Sequence, residues 1–239
     1  IIPTYNRAHF LKKAIQSVLG QACWDFEIIV IDDGSTDNTK EIVKVFKDKR
    51  IKYIKLKQNS GSSTIPRTTG IKAAGGEYIA LLDSDDFWIS PHKLQKQVDF
   101  LDKHPKFTIC SHNVRVVHEG STQPDIEWLG SKHKKVLTLE DLLRDDTGGA
   151  TSSLVFRNRV FGDFPEWYYT IYGGDWALQV LCANHGKLRY FKEVMGVYRR
   201  HNRASLHVAV MAAKARNEET IALPTKNALQ VCDELNRHF

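Results

Sequence analysis

The sequence is poor in cysteine and has no long apolar run, and both absences exclude whole classes of protein. Its four cysteines, at positions 23, 110, 182 and 232, include no C-x-x-C pair, which argues against a zinc ribbon, a thioredoxin-type motif and a disulfide scaffold. The longest apolar runs have about six residues, far below the ~20 that a membrane-spanning helix needs. The first residues do not resemble a signal peptide, so the sequence predicts a cytoplasmic protein in a reducing compartment.

Basic residues are in excess, but they are not organised for nucleic acid. The 34 Lys and Arg residues outnumber the 28 Asp and Glu residues, for a net charge of +6. This balance suits phosphates, nucleic acid or a lipid surface as partners, or is simply a solvated basic surface. Apart from residues 133–135 and 199–201, the cations are scattered, and no aromatic residues alternate with them. We therefore expect no nucleic-acid partner.

The apolar content and the alternation of patterns predict an α/β fold. The apolar fraction is 42% over 239 residues, enough for one large or two small domains with a sizeable core. Through residue 103, short β-branched segments such as 26–31 and 78–82 alternate with helical spacings such as 10–19. This alternation predicts a mostly parallel central sheet with helices on both faces. From residue 107 the rhythm is less regular, and we expect this half to extend the same sheet.

Three polar clusters each follow one of the predicted strands. They cover residues 4–7, 32–37 and 83–86. The carboxyl ends of parallel strands line one edge of a sheet, and ligands bind along that edge in such folds. We therefore expect the three clusters to meet in one crevice, although about eighty residues separate the first from the last.

The two acidic clusters each have two interpretations. Asp83 and Asp85 lie at alternate positions, so on an extended chain both carboxylates share a face and suit a Mg²⁺ or Mn²⁺ ion that also binds a diphosphate. Alternatively, Ser90 or Asp86 is the N-cap of the next helix. Asp32 and Asp33 either form a tight turn that caps a helix or accept hydrogen bonds from a nucleotide base or ribose.

Three further features each have two interpretations when only the spacing of the residues is considered. Arg67, on a predicted helix near the same edge, either pairs with a phosphate or an acidic loop, or is a solvated helix-face residue. Asp175 follows two glycines at a predicted helix start, where it is either a cap or a general base for an acceptor hydroxyl. Residues 198–205 form the densest cationic segment, which is either a clamp over a diphosphate or a basic surface loop.

In their order and spacing, these motifs resemble the inverting glycosyltransferases of family 2, which have the GT-A fold. The matching segments are Ile-Ile-Pro-Thr-Tyr-Asn-Arg at 1–7, Ile-Asp-Asp-Gly-Ser-Thr-Asp at 31–37, Asn-Ser-Gly at 59–61, Arg67 with Gly70, Gly-Gly-Glu-Tyr-Ile-Ala-Leu-Leu-Asp-Ser-Asp-Asp at 75–86, Gly-Asp-Trp at 174–176 and Tyr-Arg-Arg-His at 198–201. The resemblance covers about residues 1–205 and leaves a tail of helical composition at 206–239.

The resemblance implies a single GT-A domain over residues 1–205, with a Rossmann-like nucleotide-sugar-binding half at 1–105 and an acceptor half with the catalytic base at 106–205. It implies metal-assisted transfer of a sugar, with inversion, from a nucleotide-diphospho-sugar to an acceptor hydroxyl, and UDP is the expected nucleotide. The expected acceptor is a saccharide or a lipid-linked saccharide in cell-surface polysaccharide or glycoconjugate synthesis. Such an acceptor suits a protein associated peripherally with the inner face of the membrane.

The same resemblance assigns the catalytic and metal-binding residues. Asp175 matches the catalytic base. Asp85 and Asp83 match the ligands of a divalent metal, Mn²⁺ or Mg²⁺. Trp176 and Gly174 would border the acceptor.

A larger set of residues is implied for the nucleotide and the donor sugar. These residues are Pro3, Thr4, Tyr5, Arg7, Asp32, Asp33, Arg67, Asp83, Ser84, Asp86, Arg199, His201 and Ser205. Among them, Tyr5 would flank the base, Asp33 would accept a hydrogen bond from it, and Asp32 would support that loop or reach the ribose. His201, with Arg199 and Ser205, would belong to a loop that closes on the diphosphate.

The sequence departs from the family pattern next to the expected base. Many members have Glu-Asp there, and this chain has Gly174 followed by Asp175. The base is retained, but a contact that supports the acceptor is expected to be absent.

Two other functions remain open at this level. Sugar nucleotidyltransferases also bind nucleotides and metal on an α/β core, but they carry a glycine-rich basic loop after the first strand, where this chain has Pro-Thr-Tyr-Asn-Arg. The other alternative is a non-catalytic domain that binds nucleotide sugars. The retained Asp33, Asp83, Asp85 and Asp175 argue against it.

Overall fold

The computed structural model describes residues 1–130, 133–145, 148–171 and 174–201, together with Asp233. The expectations for Ser205 and, Asp233 apart, for the tail at 206–239 lie outside the described residues. Within the described part of the chain, no helix is both long enough and apolar enough to cross a bilayer.

The first half alternates strands and helices, as the sequence predicts. Its elements are β1 (Ile2–Thr4), α1 (Ala8–Leu19), β2 (Ile28–Asp32), α2 (Thr39–Val45), β3 (Ile51–Lys55), α3 (Thr64–Ala73) and β4 (Tyr78–Ala80). In α1, Leu11, Ala14, Ile15 and Val18 recur at helical spacing and are buried, so this apolar face holds the helix against the sheet. Every residue of β2 is buried, as a strand covered on both faces requires.

Strands β1, β2 and β3 pair in parallel, and the sheet continues through Ile1 towards β4. The register places Ile2 beside Val30, and β2 pairs in the same direction with β3. The amino nitrogen of Ile1 donates to Ala80 O at 2.8 Å, and Leu82 N donates to Ile1 O at 3.0 Å, which is the bonding pattern of parallel neighbours. The carboxyl ends of β1, β2 and β4 therefore lie along one edge, as the sequence predicts.

The second half is built on two long strands. Its elements are β5 (Phe87–Trp88), α4 (Lys93–Lys103), β6 (Phe107–Glu119), β7 (Ile126–Glu127), β8 (Val136–Leu137), α5 (Leu139–Asp145), β9 (Val155–Arg157), α6 (Gly174–Ala183) and β10 (Lys187–His201). β6 and β10 pair in parallel, and the strand order is β4-β9-β6-β10-β5. β9 runs antiparallel to β4 and β6, because it enters the sheet from the edge at which the parallel strands end. The sheet thus contains both parallel and antiparallel pairs, with antiparallel pairing on both sides of β9.

The residues of β2 show how the core is divided between the two sides of the sheet. Ile29 and Ile31 pack in one hydrophobic cluster with residues of α3 and α6, while Ile28 and Val30 pack in a second cluster with residues of α1 and α4. Alternate residues of a strand point to opposite faces. Helices therefore cover both faces of the sheet, as the sequence predicts.

A cation is buried beside the second cluster. Lys93 is fully buried at the start of α4, and its Nζ lies 3.8 Å from the centre of the Trp88 ring. Burial lowers the pKa of Lys93 to about 7, although Cys110 opposes the shift. The folded state therefore disfavours the charged amine. This cost to stability is fully present below pH 7 and disappears as the pH rises to the ordinary value of 10.5.

Replacing Lys93 by Met is expected to stabilise the protein at neutral pH, because a side chain of similar length then fills the site without a buried charge. We expect the melting temperature at neutral pH to rise by at least about 2–4 °C, the shift that about 1 kcal/mol gives in a domain of this size. The gain should shrink in alkaline buffer. Thermal unfolding followed by circular dichroism across neutral and alkaline pH measures both effects.

The matched control for this substitution is Lys103→Met, on an exposed position of the same helix. It should change the melting temperature little. A lower melting temperature for Lys93→Met would mean that the contact between the cation and the Trp88 ring outweighs the cost of burying the charge.

Candidate active site

Asn6 joins the first two polar loops at the sheet edge. Its backbone N donates to Ser35 Oγ at 2.9 Å, and its Oδ1 accepts from Thr36 N at 2.8 Å and from Asp37 N at 3.3 Å. Its φ is +50°, a left-handed value that Asn adopts more readily than most residues. This role of Asn6 was not predicted from the sequence. An Asn directly after a strand, where the chain must turn, is the signal that could have found it.

Asp32 supports the second loop from inside the protein. It is fully buried, its Oδ1 accepts from Ser35 N at 2.7 Å, and its Oδ2 accepts from the Tyr53 hydroxyl. Lys55 Nζ lies 3.8 Å from the same Oδ2. Both carboxylate oxygens are thus engaged within the protein, so of the two roles expected for Asp32 the geometry favours support of the loop.

Asp33 is held by the loop that follows β3. Ser60 N donates to Asp33 Oδ1 at 3.0 Å, and Asn59 Nδ2 and Ser60 Oγ each donate to Oδ2 at 2.9 Å. Next to it, Gly34 has a φ of +75°, and a Cβ there would lie 2.5 Å from Asn59 N. Only glycine allows the two loops to approach this closely. The Asn-Ser-Gly segment therefore fixes the orientation of the Asp33 carboxylate.

The acidic turn after β4 is tied to the end of β10. Asp86 is 2% exposed, and its Oδ1 accepts a hydrogen bond from Arg199 N at 2.9 Å. Because α4 begins at Lys93 with His92 at the N-cap position, the alternative that Ser90 or Asp86 caps this helix is wrong. Burial, together with the charges of Asp83 and Asp85, raises the pKa of Asp86 well above its ordinary value.

Arg199 is fixed at its side chain as well. Its Nη1 donates to Glu119 Oε2 at 2.7 Å. The guanidinium carbon lies 4.9 Å from the centre of the Phe10 ring and 5.2 Å from that of Phe87. The role of Arg199 as part of a clamp over a diphosphate stays a prediction.

Asp85 is in contact with Arg7 and His201. The Arg7 Nη1 lies 2.6 Å from Asp85 Oδ2 and 2.9 Å from His201 Nε2, and His201 Nε2 lies 2.9 Å from the same Oδ2. The first residue cluster and the acidic turn therefore meet at one point, as the sequence predicts, and the end of β10 joins them there. All three side chains are partly exposed.

Arg67 is a buried cation between two carboxylates. It is 5% exposed, so the alternative of a solvated helix-face arginine is wrong. Its Nη2 lies 4.0 Å from Asp83 Oδ1. Burial alone lowers the pKa of Arg67, but Tyr168, Asp83 and Asp175 together raise it above its ordinary value. The guanidinium therefore remains charged in the floor of the crevice.

Asp83 carries a strongly perturbed carboxyl group. Its pKa is raised to about 6, first by burial and then by the charges of Asp85 and Asp175, while Arg67 and Arg7 oppose the shift. The contributions of Asp85 and Asp175 to the shift of Asp83 indicate that the three acidic groups share one crevice. Such crowding of like charges is typical of functional sites.

Asp175 lies at the first turn of α6 and is oriented by a hydroxyl. Thr151 Oγ1 donates to Asp175 Oδ2 at 3.0 Å, and the helix N-terminus favours a negative charge at this position. Thr151 belongs to the short 3₁₀ turn Thr151–Ser153 that precedes β9. Its contact with Asp175 was not predictable from the sequence, because nothing in the local pattern around Thr151 indicates a partner 24 residues ahead.

Position 174, where the sequence departs from the family pattern, is tightly packed. A Cβ on Gly174 would lie 2.3 Å from Thr64 Cγ2, so a larger residue there requires the Thr64 side chain or one of the two helices to move. The Tyr168 hydroxyl also donates to Gly174 O at 2.8 Å and fixes the start of the helix. Trp176 is half-buried and donates through its Nε1 to Leu142 O at 3.0 Å. Contact of Gly174 and Trp176 with an acceptor stays a prediction.

The remaining predicted residues differ in how far they face the crevice. Tyr5 is 43% exposed at the end of β1, whereas Thr4 and Ser84 are buried. Pro3 lies within β1 and pairs with Ile31. A ring at the position of Tyr5 is accessible to a ligand, and contact of the other three residues with the donor stays a prediction.

Known proteins resemble this chain in sequence. Residues 1–162 match the model of glycosyl transferase family 2. An uncharacterized protein of Mycobacterium tuberculosis is 32% identical over 209 residues, which are 86% of this chain and 59% of that protein. An uncharacterized glycosyltransferase of Nostoc sp. is 32% identical over 236 residues, which are 91% of this chain and 69% of that protein. The chain thus spans about three fifths of the mycobacterial relative.

Solved structures resemble it in fold. Staphylococcus aureus TarS 1–349 in complex with UDP-GlcNAc superposes with a TM-score of 0.68 at 22% identity, over 87% of this chain and 59% of that one. The mannosyltransferase PcManGT from Pyrobaculum calidifontis, in complex with GDP-Man and Mn²⁺, gives a TM-score of 0.64 at 18% identity, over 89% and 59%. These likenesses confirm the predicted GT-A fold.

Proposed function

The chain belongs to glycosyl transferase family 2, and from this premise we propose that it transfers a sugar from a nucleotide-diphospho-sugar to an acceptor hydroxyl with inversion. UDP is the expected nucleotide. The observation that supports the proposal most is that the buried Arg67 lies 4.0 Å from Asp83 and also interacts with Asp175, which links the acidic turn to the start of α6. One crevice then contains a guanidinium that can pair with a diphosphate, carboxylates that can bind a cation, and a carboxylate that can take the proton of an acceptor hydroxyl.

The donor is proposed to lie along the edge formed by residues 1–105. The Tyr5 ring is exposed for stacking against the base. Asp33 Oδ1 accepts a single hydrogen bond within the described residues, from Ser60 N, and a carboxylate oxygen has capacity for a second. We therefore assign Asp33 Oδ1 to a donor group of the base.

The residues at the acidic turn fit a divalent cation, Mn²⁺ or Mg²⁺. Carboxylate oxygens are the ligands that both ions prefer. Asp83 and Asp85 lie two positions apart in this turn, and the charge of Asp85 contributes to the raised pKa of Asp83. We propose that Asp85 and Asp83 hold the ion together with the diphosphate, an arrangement typical of Mg²⁺. When bound, the cation would offset the charge that builds on the leaving nucleoside diphosphate.

Asp175 is proposed as the general base. Its Oδ2 is engaged by Thr151, which leaves Oδ1 to accept the proton of the acceptor hydroxyl. The hydroxyl oxygen attacks the anomeric carbon as the bond to the nucleoside diphosphate breaks on the opposite face. Because this is a single displacement, the configuration at that carbon inverts.

The acceptor is proposed to approach from the half formed by residues 106–205, since Thr151 and Asp175 both belong to it. A saccharide or a lipid-linked saccharide is the proposed class, as in cell-surface polysaccharide or glycoconjugate synthesis. With a lipid-linked acceptor, the protein would work at the inner face of the membrane through peripheral association.

A screen of nucleotide sugars for thermal stabilisation tests the proposal. A ligand at about a hundred times its dissociation constant stabilises the folded state by about 2.7 kcal/mol, or about 5–10 °C in a domain of this size. We expect UDP-sugars with Mn²⁺ to give this shift, and GDP-sugars to give less. Chelation of the metal should remove most of it.

Three outcomes would contradict the proposal. No stabilisation by any nucleotide sugar would exclude the donor class. Release of pyrophosphate from a nucleoside triphosphate and a sugar 1-phosphate would identify a sugar nucleotidyltransferase instead. Stabilisation without hydrolysis or transfer, in the presence of metal and of saccharide acceptors, would point to a non-catalytic binding domain.

A further inference from the structure

Three atoms of Arg7, Asp85 and His201 form a tight triangle at the proposed metal site. Its sides are 2.6 Å from Arg7 Nη1 to Asp85 Oδ2, 2.9 Å from Arg7 Nη1 to His201 Nε2, and 2.9 Å from His201 Nε2 to Asp85 Oδ2. A carboxylate oxygen and an imidazole nitrogen therefore converge on one positively charged nitrogen.

The triangle cannot be satisfied by hydrogen bonds alone. The guanidinium only donates and the ionised carboxylate only accepts. If His201 Nε2 carries a proton, its contact with Arg7 joins two donors. If Nε2 carries none, its contact with Asp85 joins two acceptors. One side of the triangle is unfavourable in either case.

A divalent cation removes this mismatch. It accepts a lone pair from the carboxylate oxygen and another from the imidazole nitrogen at once. In an octahedral ion with bonds of about 2.1 Å, adjacent ligand atoms lie about 3.0 Å apart. The 2.9 Å between Asp85 Oδ2 and His201 Nε2 matches this separation. The position that suits the ion is the one from which Arg7 now contacts both groups.

We propose that Arg7 is the counter-cation of the metal-free site and that it competes with the divalent metal for Asp85 and His201. This inference rests on the proposed function, because it takes Asp85 as a metal ligand. The Arg7 side chain is 29% exposed, so it can swing towards solvent when the metal arrives. There, the diphosphate of the donor is a new partner for the guanidinium.

The competition couples the two ligands of the enzyme. Metal alone must displace Arg7, whereas metal that arrives with a nucleoside diphosphate brings an anion that binds the displaced side chain. UDP should therefore raise the affinity for Mn²⁺ and, by linkage, Mn²⁺ should raise the affinity for UDP by the same factor. Arg7 thereby disfavours occupation of the site by metal without donor.

Binding of Mn²⁺ alone to the full chain, followed by the electron paramagnetic resonance of free Mn²⁺, tests the inference. We expect Arg7→Gln to bind Mn²⁺ about threefold to fivefold more tightly than the unmodified protein, because an ion pair that competes with the metal is removed. UDP should also raise the affinity for Mn²⁺ by a smaller factor in Arg7→Gln.

Arg50→Gln is the matched control. Arg50 is partly exposed to a similar degree and forms an ion pair with Asp48 at 2.8 Å, away from the crevice. Its replacement should change neither the affinity for Mn²⁺ nor the effect of UDP. Circular dichroism of each variant confirms that it is folded.

A third variant, Asp85→Asn, separates failure of the inference from failure of the metal site. If Asp85→Asn weakens Mn²⁺ binding while Arg7→Gln leaves it unchanged or weaker, the competition is refuted and the metal site stands. If Asp85→Asn leaves Mn²⁺ binding unchanged, Asp85 is not a metal ligand, and both the inference and that part of the proposed function are refuted.

Discussion

Replacing Asp175 by Asn is expected to lower kcat by about 10²–10⁴-fold, the usual contribution of a positioned general base. Asn has nearly the same shape, and its amide oxygen still accepts the hydrogen bond from Thr151 Oγ1 that now spans 3.0 Å. It cannot take a proton from the acceptor hydroxyl. The barrier to transfer therefore rises while the donor site is unchanged, so binding of nucleotide sugar should persist.

Two measurements together check this result. Steady-state transfer gives kcat, and calorimetry with the donor gives its affinity. Asp25→Asn is the control, since Asp25 is exposed and precedes β2 at the end away from the crevice. Near-normal transfer by Asp175→Asn would assign the base to another group. Loss of donor binding would instead mean that Asp175 contacts the donor.

Replacing Asp85 by Ala is expected to abolish most of the metal-dependent affinity for UDP. Loss of a residue that only orients a metal ligand costs about 10–100-fold in metal affinity, so loss of a ligand should cost at least as much. The substitution also removes one of the charges that raise the pKa of Asp83. It therefore relieves repulsion at Asp83, and the fold should persist.

Calorimetry of UDP binding, with Mn²⁺ and after chelation, measures this effect. The affinity in chelator should be similar for the unmodified protein and for Asp85→Ala, and only the gain from Mn²⁺ should disappear. Asp25→Ala provides the control for loss of a carboxylate elsewhere on the surface. An undiminished gain from Mn²⁺ in Asp85→Ala would refute the metal role of Asp85.

The architecture around the crevice was largely predictable because buried strands have a recognisable pattern in the local sequence. An all-apolar run such as 28–31 identifies a strand covered on both faces, and the polar residues after it must then lie at the sheet edge. This reasoning brought the acidic turn and residues 4–7 to one place. The antiparallel pairing of β9 was not predictable in this way, since the direction of a strand depends on the path of the loops before it.

The supporting residues of the site were harder to predict. Asn6 bonds to residues about thirty positions ahead, and Thr151 reaches Asp175 across 24 positions. Polar residues in loops have many such partners available, and only the packed structure selects one. The burial of Arg67 was likewise not predictable from the local sequence. Its burial depends on how closely α3 packs on the sheet at Gly70, where a Cβ would lie 2.4 Å from Ile1 Cγ2.

Gly34 limits how the proposed donor specificity could be changed by directed evolution. Even alanine at this position would bring a methyl carbon within 2.5 Å of the backbone at Gln58 and Asn59. It would force the loop that carries Asp33 away from the loop that follows β3. Libraries that aim at a new nucleotide should therefore keep this glycine constant and place their diversity at Tyr5, whose ring is open to solvent.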